Sequence, residues 1–436
     1  MRYSATVENM EVKSIRIGLL GCGNVGKALV DLLESQREAI LSRTGLDLTI
    51  QAIAVRNVEK HTDLSAAAQP ITNNPDDVVS SDDIDLVVEV IGGVDPAKEL
   101  VETALRSGKP VVTANKELLA KHGPELFERA DQESLDLLFE AAVAGGVPLM
   151  RVLRESLKGE PIRRVMGIVN GTTNYVLSQM TETGMSYSDA LGEAQSAGFA
   201  ESDPSADVEG QDAASKAAII AMVAFGVRLG LSDVTYEGIT EVSSEDIEFA
   251  KRFGRTIKLL AIAENDNGEV AVRVHPAMVP QHHPLASVRD SFNAVFVEGD
   301  AVGDLMLYGR GAGGNPTASA VLGDVIAAAN NLTQETNNGL GNLRNAPIQS
   351  TQDLENAFYI NLEVTDEPGV LASVASVFGK HGVSIRSMEQ EGLGGEARIV
   401  FITHSSLERN VHSTLDELRA LDCVIQIGTK IRVVEG

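Results

Sequence analysis

Apolar positions recur along this chain with two periods, and the switches between them mark its elements. Residues 15–20 form a short apolar run that reads as a strand. It feeds Gly21-Cys22-Gly23-Asn24-Val25-Gly26 and then an amphipathic helical pattern to about residue 41. Apolar runs at 48–55, 85–90, 110–113 and 135–141 follow, with helical patterns near 96–106 and 117–131. Strands alternating with helices predict a parallel, doubly wound α/β sheet. After Ala144-Gly145-Gly146-Val147-Pro148 a helix is expected to about residue 158. The alternation then stops. Strands at 164–169, 269–274 and 294–299, with helices after Asn170 and over 190–198, predict a mixed α+β domain. A second glycine-rich loop, 307–318, opens a helix to about residue 330. It returns the chain to the first domain or serves as a hinge. Residues 330–356 are rich in Asn, Gln, Thr and Gly and read as a linker. Residues 358–435 repeat strand, helix, strand, strand, helix, strand, with a hairpin signal at Gly392-Leu393-Gly394-Gly395. This is the ferredoxin-like βαββαβ order. The expected parts are a polar tail over 1–14, a first domain over 15–147 completed by 308–330, a second over 148–307, a linker over 331–356 and a terminal module over 357–436.

The glycines of the first turn have the spacing G-x-G-x-x-G between a strand and a helix, the setting of a Rossmann-type dinucleotide site. Gly21, Gly23, Asn24, Val25 and Gly26 would cradle a pyrophosphate at the helix N-terminus. In NAD-type sites an acidic residue ends the second strand, whereas here that place reads Ala54-Val55-Arg56-Asn57. Arg56 suits a 2′-phosphate, so NADP(H) is favoured over NAD(H); the alternative is a solvated arginine at a strand end. Lys116 follows the fourth run in Thr113-Ala114-Asn115-Lys116, at the carboxyl end of a strand where such sheets bind ligands.

The densest chemistry lies in residues 201–216, ESDPSADVEGQDAASK, with Glu201, Asp203, Asp207, Glu209 and Asp212 ahead of Lys216. A helical pattern runs from Val208 to about Leu229, with Asp212, Lys216, Ile220, Val223 and Val227 on one stripe. The apolar part of that stripe faces a core, which carries Asp212 and Lys216 inward. An exposed acid–base pair is a minor decoration, but a partly buried one titrates more readily. Asn170-Gly171-Thr172-Thr173-Asn174 would hold a carboxylate at a helix N-terminus or act as ordinary capping. A net charge of -26 argues against nucleic acid as partner. Two distant cysteines, Cys22 and Cys423, make no disulfide framework, and with no signal peptide or membrane-length apolar run the expected compartment is the cytoplasm. No histidine spacing suggests a metal site.

These motifs resemble monofunctional homoserine dehydrogenases with a C-terminal ACT domain, over nearly the whole chain. The most specific segment is Gly198 to Pro204 through Gly210-Gln211-Asp212 to Lys216, supported by both glycine-rich loops and the Asn170 and Thr113 motifs. The resemblance implies reversible reduction of L-aspartate 4-semialdehyde to L-homoserine with NAD(P)H. It implies that Lys216 and Lys116 serve proton transfer and substrate orientation, with Asp212 positioning the substrate. Glu201 would hold the substrate amino group, with Thr172 and Asp207 also on the substrate. Gly171 and Gly313 would lie near the nicotinamide. A monovalent cation, sodium, would sit on the carbonyls of Glu140, Val143, Gly145 and Val147. The small-molecule effector implied is L-threonine, bound by the ACT module near Asp366-Glu367-Pro368-Gly369, in a homo-oligomer, dimer or tetramer. A chain ending before Gln352 is then expected to stay active and ignore threonine. Aspartate-semialdehyde dehydrogenase, the nearest rival, needs a nucleophilic cysteine in the substrate half, and neither cysteine lies there. A non-catalytic, nucleotide-gated amino-acid sensor is the remaining alternative; it leaves Glu201 to Lys216 unexplained.

Overall fold

The structure is a computed structural model that describes residues 12–61, 70–392 and 394–435. Most of the predicted N-terminal tail, and Leu393 of the hairpin signal, lie outside the described residues. The chain divides into two compact units. The first comprises residues 1–160, 218–231 and 307–345, the second 161–217, 232–306 and 346–436.

The first unit is built on a parallel sheet of six strands. Lys13–Leu20 lies between Leu46–Ala54 and Leu86–Glu89, with Ile71–Thr72 beyond the former and Val111–Thr113 and Leu137–Leu138 beyond the latter. Numbered along the chain the order is 3-2-1-4-5-6, the arrangement that opens a crevice at the carboxyl ends of the first and fourth strands. Ile17, Leu19, Leu86 and Val88 pack with Leu29 and Leu33 of helix Asn24–Thr44 and with Val321 and Val325 of helix Gly314–Gln334. Each such side chain contributes roughly 1.5–3 kcal/mol of burial. The second glycine-rich loop therefore returns the chain to this sheet and is no hinge. Its first residues belong to strand Gly303–Arg310, so the loop proper is shorter than expected.

Two expectations shrink here. The strand expected over 135–141 is only Leu137–Leu138, because Glu140 N–H donates to Asp324 Oδ2 at 2.7 Å and residues Glu140–Ala142 turn tightly. The helix expected to residue 158 is one turn, Leu149–Arg151, widening into a π-type turn, Val152–Ser156.

In the second unit Arg255–Asp266 and Glu269–Pro280 form a long antiparallel hairpin, in register from Asp266↔Glu269 to Arg255↔Pro280. Ile162–Ile168 and Phe292–Gly299 extend the sheet. The C-terminal strands Val424–Val433, Glu355–Thr365, Glu396–Thr403 and Ile385–Gly392 lie in that order, the 4-1-3-2 order of a ferredoxin-like module. Helices Val370–Lys380 and Glu408–Leu418 supply Val374, Phe378, Val411 and Leu415 to a core with Phe358, Ile360 and Phe401. The module is not set apart. Val424–Val433 pairs in parallel with Glu269–Pro280 through Ala277↔Arg432 and Met278↔Val433, so both stretches share one sheet. The predicted linker is irregular between residues 335 and 350 but is fastened: Val270 N donates to Pro347 O and Gln349 N to Val270 O, both at 2.9 Å.

The helix expected from Val208 to Leu229 is broken by two glycines in the left-handed region. Gly210, at φ +89, separates a turn, Ser205–Val208, from helix Gln211–Phe225, and Gly226, at φ +61, ends it.

Candidate functional site

The first unit forms a cleft of about 350 Å³ lined by Gly21, Gly23, Arg56, Asn73, Val90 and Ile91. A Cβ on Gly26 would stand 2.4 Å from Gly21 O, and one on Gly21 would stand 2.8 Å from Val90 O, so backbone packing requires both glycines. A Cβ on Gly23 would meet nothing within 4 Å. Packing does not explain that glycine, whereas a ligand lying against the backbone would. Helix Asn24–Thr44 begins without a side-chain cap and without an acid in its first turn, which leaves its N–H groups suited to a phosphate. The site thus fits a dinucleotide. Arg56 stands exposed at the cleft edge.

Lys116 opens helix Lys116–Gln132, and Asn115 caps it by accepting from Leu118 N at 3.0 Å. Asn115 also donates to Gly93 O at 2.6 Å, and its own N–H donates to Thr113 Oγ1 at 3.0 Å. Thr113 donates in turn to Glu89 Oε2 at 2.6 Å, while Glu89 Oε1 accepts from Ile91 N at 2.8 Å. A fully buried carboxylate therefore ties the turn bearing Lys116 to the loop at the cleft. Sequence reading missed Glu89, because an acid ending an apolar run gives no periodic signal.

In the same unit, Ala144 and Gly145 both take positive φ, +56 and +50, and a Cβ on Gly145 would stand 2.3 Å from Gly311 O. Gly313 also takes positive φ and begins helix Gly314–Gln334. Glu140 is buried, and its carboxylate accepts from Met150 N and Arg151 N at 2.8 Å. Burial raises its pKa, and burial with the Glu140 charge pushes Asp324 up to about 6. Val147 O already accepts from Leu149 N at 2.8 Å. Among the described residues no group of three or more His, Cys, Asp or Glu is placed to hold a metal.

The second unit gathers Thr172, Asp207, Asp212 and Lys216 into one cluster, and its hub is Asn170. Asn170 Nδ2 donates to Asp207 Oδ1 at 2.7 Å and to Asp212 Oδ2 at 2.9 Å. Its Oδ1 accepts from Thr173 N at 2.9 Å and so caps helix Gly171–Thr183. Thr172 Oγ1 lies 2.7 Å from Phe199 O and 3.0 Å from Asp207 Oδ2. Lys216 Nζ donates to Asp212 Oδ2 and to Val169 O, each at 2.7 Å. The Lys216 and Asp212 side chains are 12% and 6% exposed. Capping, one of the two readings of the Asn170 motif, is what the structure shows, and the same amide joins both carboxylates. Gly171 is a packing glycine, since a Cβ would stand 2.9 Å from Ser291 O. Glu201 lies outside the cluster, exposed, with its carbonyl accepting from Gln195 Nε2 at 3.1 Å. Asn170 was legible only as part of its motif, because the residues it joins are 37 and 42 positions away.

No helix among the described residues is long and apolar enough to cross a membrane. A 3-2-1-4-5-6 sheet with an open glycine cradle fits a dinucleotide-dependent oxidoreductase. Models of the homoserine dehydrogenase NAD-binding domain, of homoserine dehydrogenase and of the ACT domain match residues 21–140, 148–326 and 358–423. The chain belongs to the homoserine dehydrogenase family, oxidoreductases acting on a CH–OH group. It is 46% identical over 426 residues to homoserine dehydrogenase of Corynebacterium glutamicum, covering 96% of each chain. A crystal structure of a homoserine dehydrogenase from Thiobacillus denitrificans superposes with a TM-score of 0.94 at 39% identity, over 98% of this chain and all of that one. A hyperthermophilic archaeal homoserine dehydrogenase in complex with NADPH matches with a TM-score of 0.64 at 30% identity, over 76% of this chain and 100% of that one.

Proposed function

We propose that this enzyme reduces L-aspartate 4-semialdehyde to L-homoserine with a preference for NADP(H), with Lys216 as proton donor, and that L-threonine inhibits it through the ACT module. The observation that carries the catalytic part is Lys216, fixed at 2.7 Å between Asp212 and Val169. A lysine so held presents Nζ in one fixed direction. The bound nicotinamide cofactor supplies the hydride, or accepts it in reverse. Lys216 gives a proton to the substrate oxygen as its charge develops. Asp207 and Asp212 against one ammonium leave the cluster with an excess of one negative charge, which suits the α-ammonium of the substrate. Glu201 adds a third carboxylate for that group on the resemblance alone. The resemblance likewise supports Lys116 in proton transfer and orientation, Gly171 and Gly313 near the nicotinamide, and sodium on the carbonyls of Glu140, Val143, Gly145 and Val147. The carbonyl of Val147 is the weakest member of that set, because it already accepts a hydrogen bond. Preference for NADP(H) is supported by Arg56 at the cleft edge.

Control by threonine rests on the ACT module and on Gly369, which opens helix Val370–Lys380 at φ +98 with nothing within 4 Å of a Cβ. A ligand carboxylate can approach such a helix start closely. Pairing of ACT modules supports a homo-oligomer, a dimer or a tetramer. The two separated cysteines support a cytoplasmic enzyme. The test is NADPH consumption with aspartate semialdehyde, with and without millimolar threonine. Truncation before Gln352 is a poor control, since it removes four strands of the shared sheet and Arg432, which bonds Glu237 at 2.8 and 3.0 Å. Gly369→Ala is the better one. Threonine should inhibit the full chain and lose its effect on Gly369→Ala, whose basal turnover stays the same. An uninhibited full chain that binds no threonine in calorimetry refutes the regulatory reading and leaves a module that only dimerises.

A further inference from the structure

The main chain over 237–239 packs directly against the turn over 208–210. Ile239 N donates to Val208 O at 2.8 Å. A Cβ on Gly238 would stand 2.1 Å from Val208 O, and one on Gly210 would stand 3.0 Å from Glu237 O. Glycine at both places lets the two backbones touch with no side chain between them. The turn they touch is the link between Asp207 and Asp212, since it joins Ser205–Val208 to helix Gln211–Phe225. Close-packed backbones transmit a shift instead of absorbing it. Whatever fixes residues 237–239 therefore also fixes the spacing of those two carboxylates.

Residues 237–239 are tied on two sides. Glu237 N donates to Val274 O at 2.8 Å, which holds the main chain to the long hairpin. The side chain supplies the second tie. Arg432 donates to both oxygens of the Glu237 carboxylate, at 2.8 and 3.0 Å. Such a bidentate pair fixes direction as well as distance. Arg432 is itself held fast, because its side chain is 4% exposed and its Nε donates to Glu408 Oε2 at 3.1 Å. It also stands in register with Ala277 of the neighbouring strand. Earlier in the same strand, Thr429 Oγ1 lies 2.6 Å from Asp246 Oδ2 and 3.2 Å from Glu241 O, so strand Val424–Val433 grips the segment after Glu237 as well. The Glu237 carboxylate bonds Arg432 and not the cluster, so it acts on Asp207 and Asp212 only through its own main chain.

We propose that Glu237 is a positioning residue for the reaction: clamped by Arg432, it holds the 208–210 turn so that Asp207 and Asp212 keep the spacing the substrate needs. The inference rests on the reading of Asp207 and Asp212 as substrate carboxylates. Arg432→Ala is the wrong probe, because it strands the buried carboxylate of Glu408 and threatens the fold. The test is steady-state oxidation of homoserine by full-length Glu237→Ala, Glu237→Gln, Asp207→Asn and the Glu237→Ala/Asp207→Asn double variant, with urea unfolding of each. Glu237→Ala should raise KM for homoserine at least about fivefold, the effect of a small misplacement of a binding group, and leave KM for the nicotinamide cofactor unchanged. Glu237→Gln keeps the length and one bond to Arg432, so it should raise KM by a smaller factor; it decides the matter if Glu237→Ala does not fold. In the Asp207→Asn background, Glu237→Ala should raise KM by less than it does alone, because both changes act on one group. A lowered urea midpoint with an ordinary KM for homoserine marks a merely structural pair and overturns the proposal. So do fully independent effects of Glu237→Ala and Asp207→Asn. An ordinary KM in Asp207→Asn refutes the substrate reading of the cluster, and the proposal falls with it; a raised KM there beside an ordinary one in Glu237→Ala refutes the proposal alone.

Discussion

Replacing Asn170 by Ala removes one side chain and disturbs three partners. Asn170 Nδ2 serves both Asp207 and Asp212, and Oδ1 caps Thr173 N. A hydrogen bond to a charged group contributes about 1.5–3 kcal/mol, and an N-cap about 1 kcal/mol. The carboxylates keep part of their pairing, Asp212 with Lys216 and Asp207 with Thr172. The expected loss is therefore about 3–5 kcal/mol, below the simple sum. Asn170→Asp separates the terms. It keeps the cap but brings a third carboxylate against two others, so its loss should shrink as the pH falls and the acids take up protons. The assay is urea unfolding at pH 7 and pH 5, with steady-state oxidation of homoserine. Turnover of both variants should fall at least about tenfold, because Lys216 loses the fixed position of Asp212. An Asn170→Ala protein within about 0.5 kcal/mol of the original, with ordinary turnover, refutes the hub.

Three further outcomes follow from single sites. Lys258 is 2% exposed, bonded to Asn174 Oδ1 at 3.0 Å and to Val288 O, and burial lowers its pKa from 10.5 to about 8. The unfolded chain then holds the extra proton between about pH 8 and 10.5, so stability rises with pH across that window, by up to about 3 kcal/mol. Lys258→Met should lack this rise, and parallel stability–pH curves for the two proteins would contradict the burial of a charged lysine. Arg56→Ala should raise KM for NADPH at least about tenfold and leave that for NADH nearly unchanged, while equal effects on both would remove the 2′-phosphate role. Gly26→Ala should lose cofactor binding in calorimetry, because the new Cβ would stand 2.4 Å from Gly21 O; unchanged affinity would show that the turn is looser than described.

Much of this molecule was legible along the chain because its signals are local. The glycine turn, the alternation of strand and helix and the βαββαβ module each announce themselves within a few dozen residues. The hairpin of Arg255–Asp266 and Glu269–Pro280 was legible too and was read only in part. Asn267-Gly268, with φ of +49 and +99, is the two-residue turn that such hairpins favour. What stayed hidden depends on distant pairings. No periodicity shows that Asn170 joins Asp207 to Asp212, or that Glu89 holds Thr113. The shared sheet was equally hidden, because Ala277↔Arg432 lies across 155 positions and the intervening composition reads as a linker. The short strand Ile71–Thr72 carries too few residues to show a period.

The central claim is that Lys216 transfers the proton, and the most direct measurement is kcat of purified Lys216→Ala, with its fold and cofactor affinity checked alongside. Alanine suits a helix, and the residue lies within Gln211–Phe225, so the fold should persist. The account predicts a fall in kcat of at least about a hundredfold with unchanged affinity for NADPH. A folded Lys216→Ala enzyme that turns over near the original rate would contradict it.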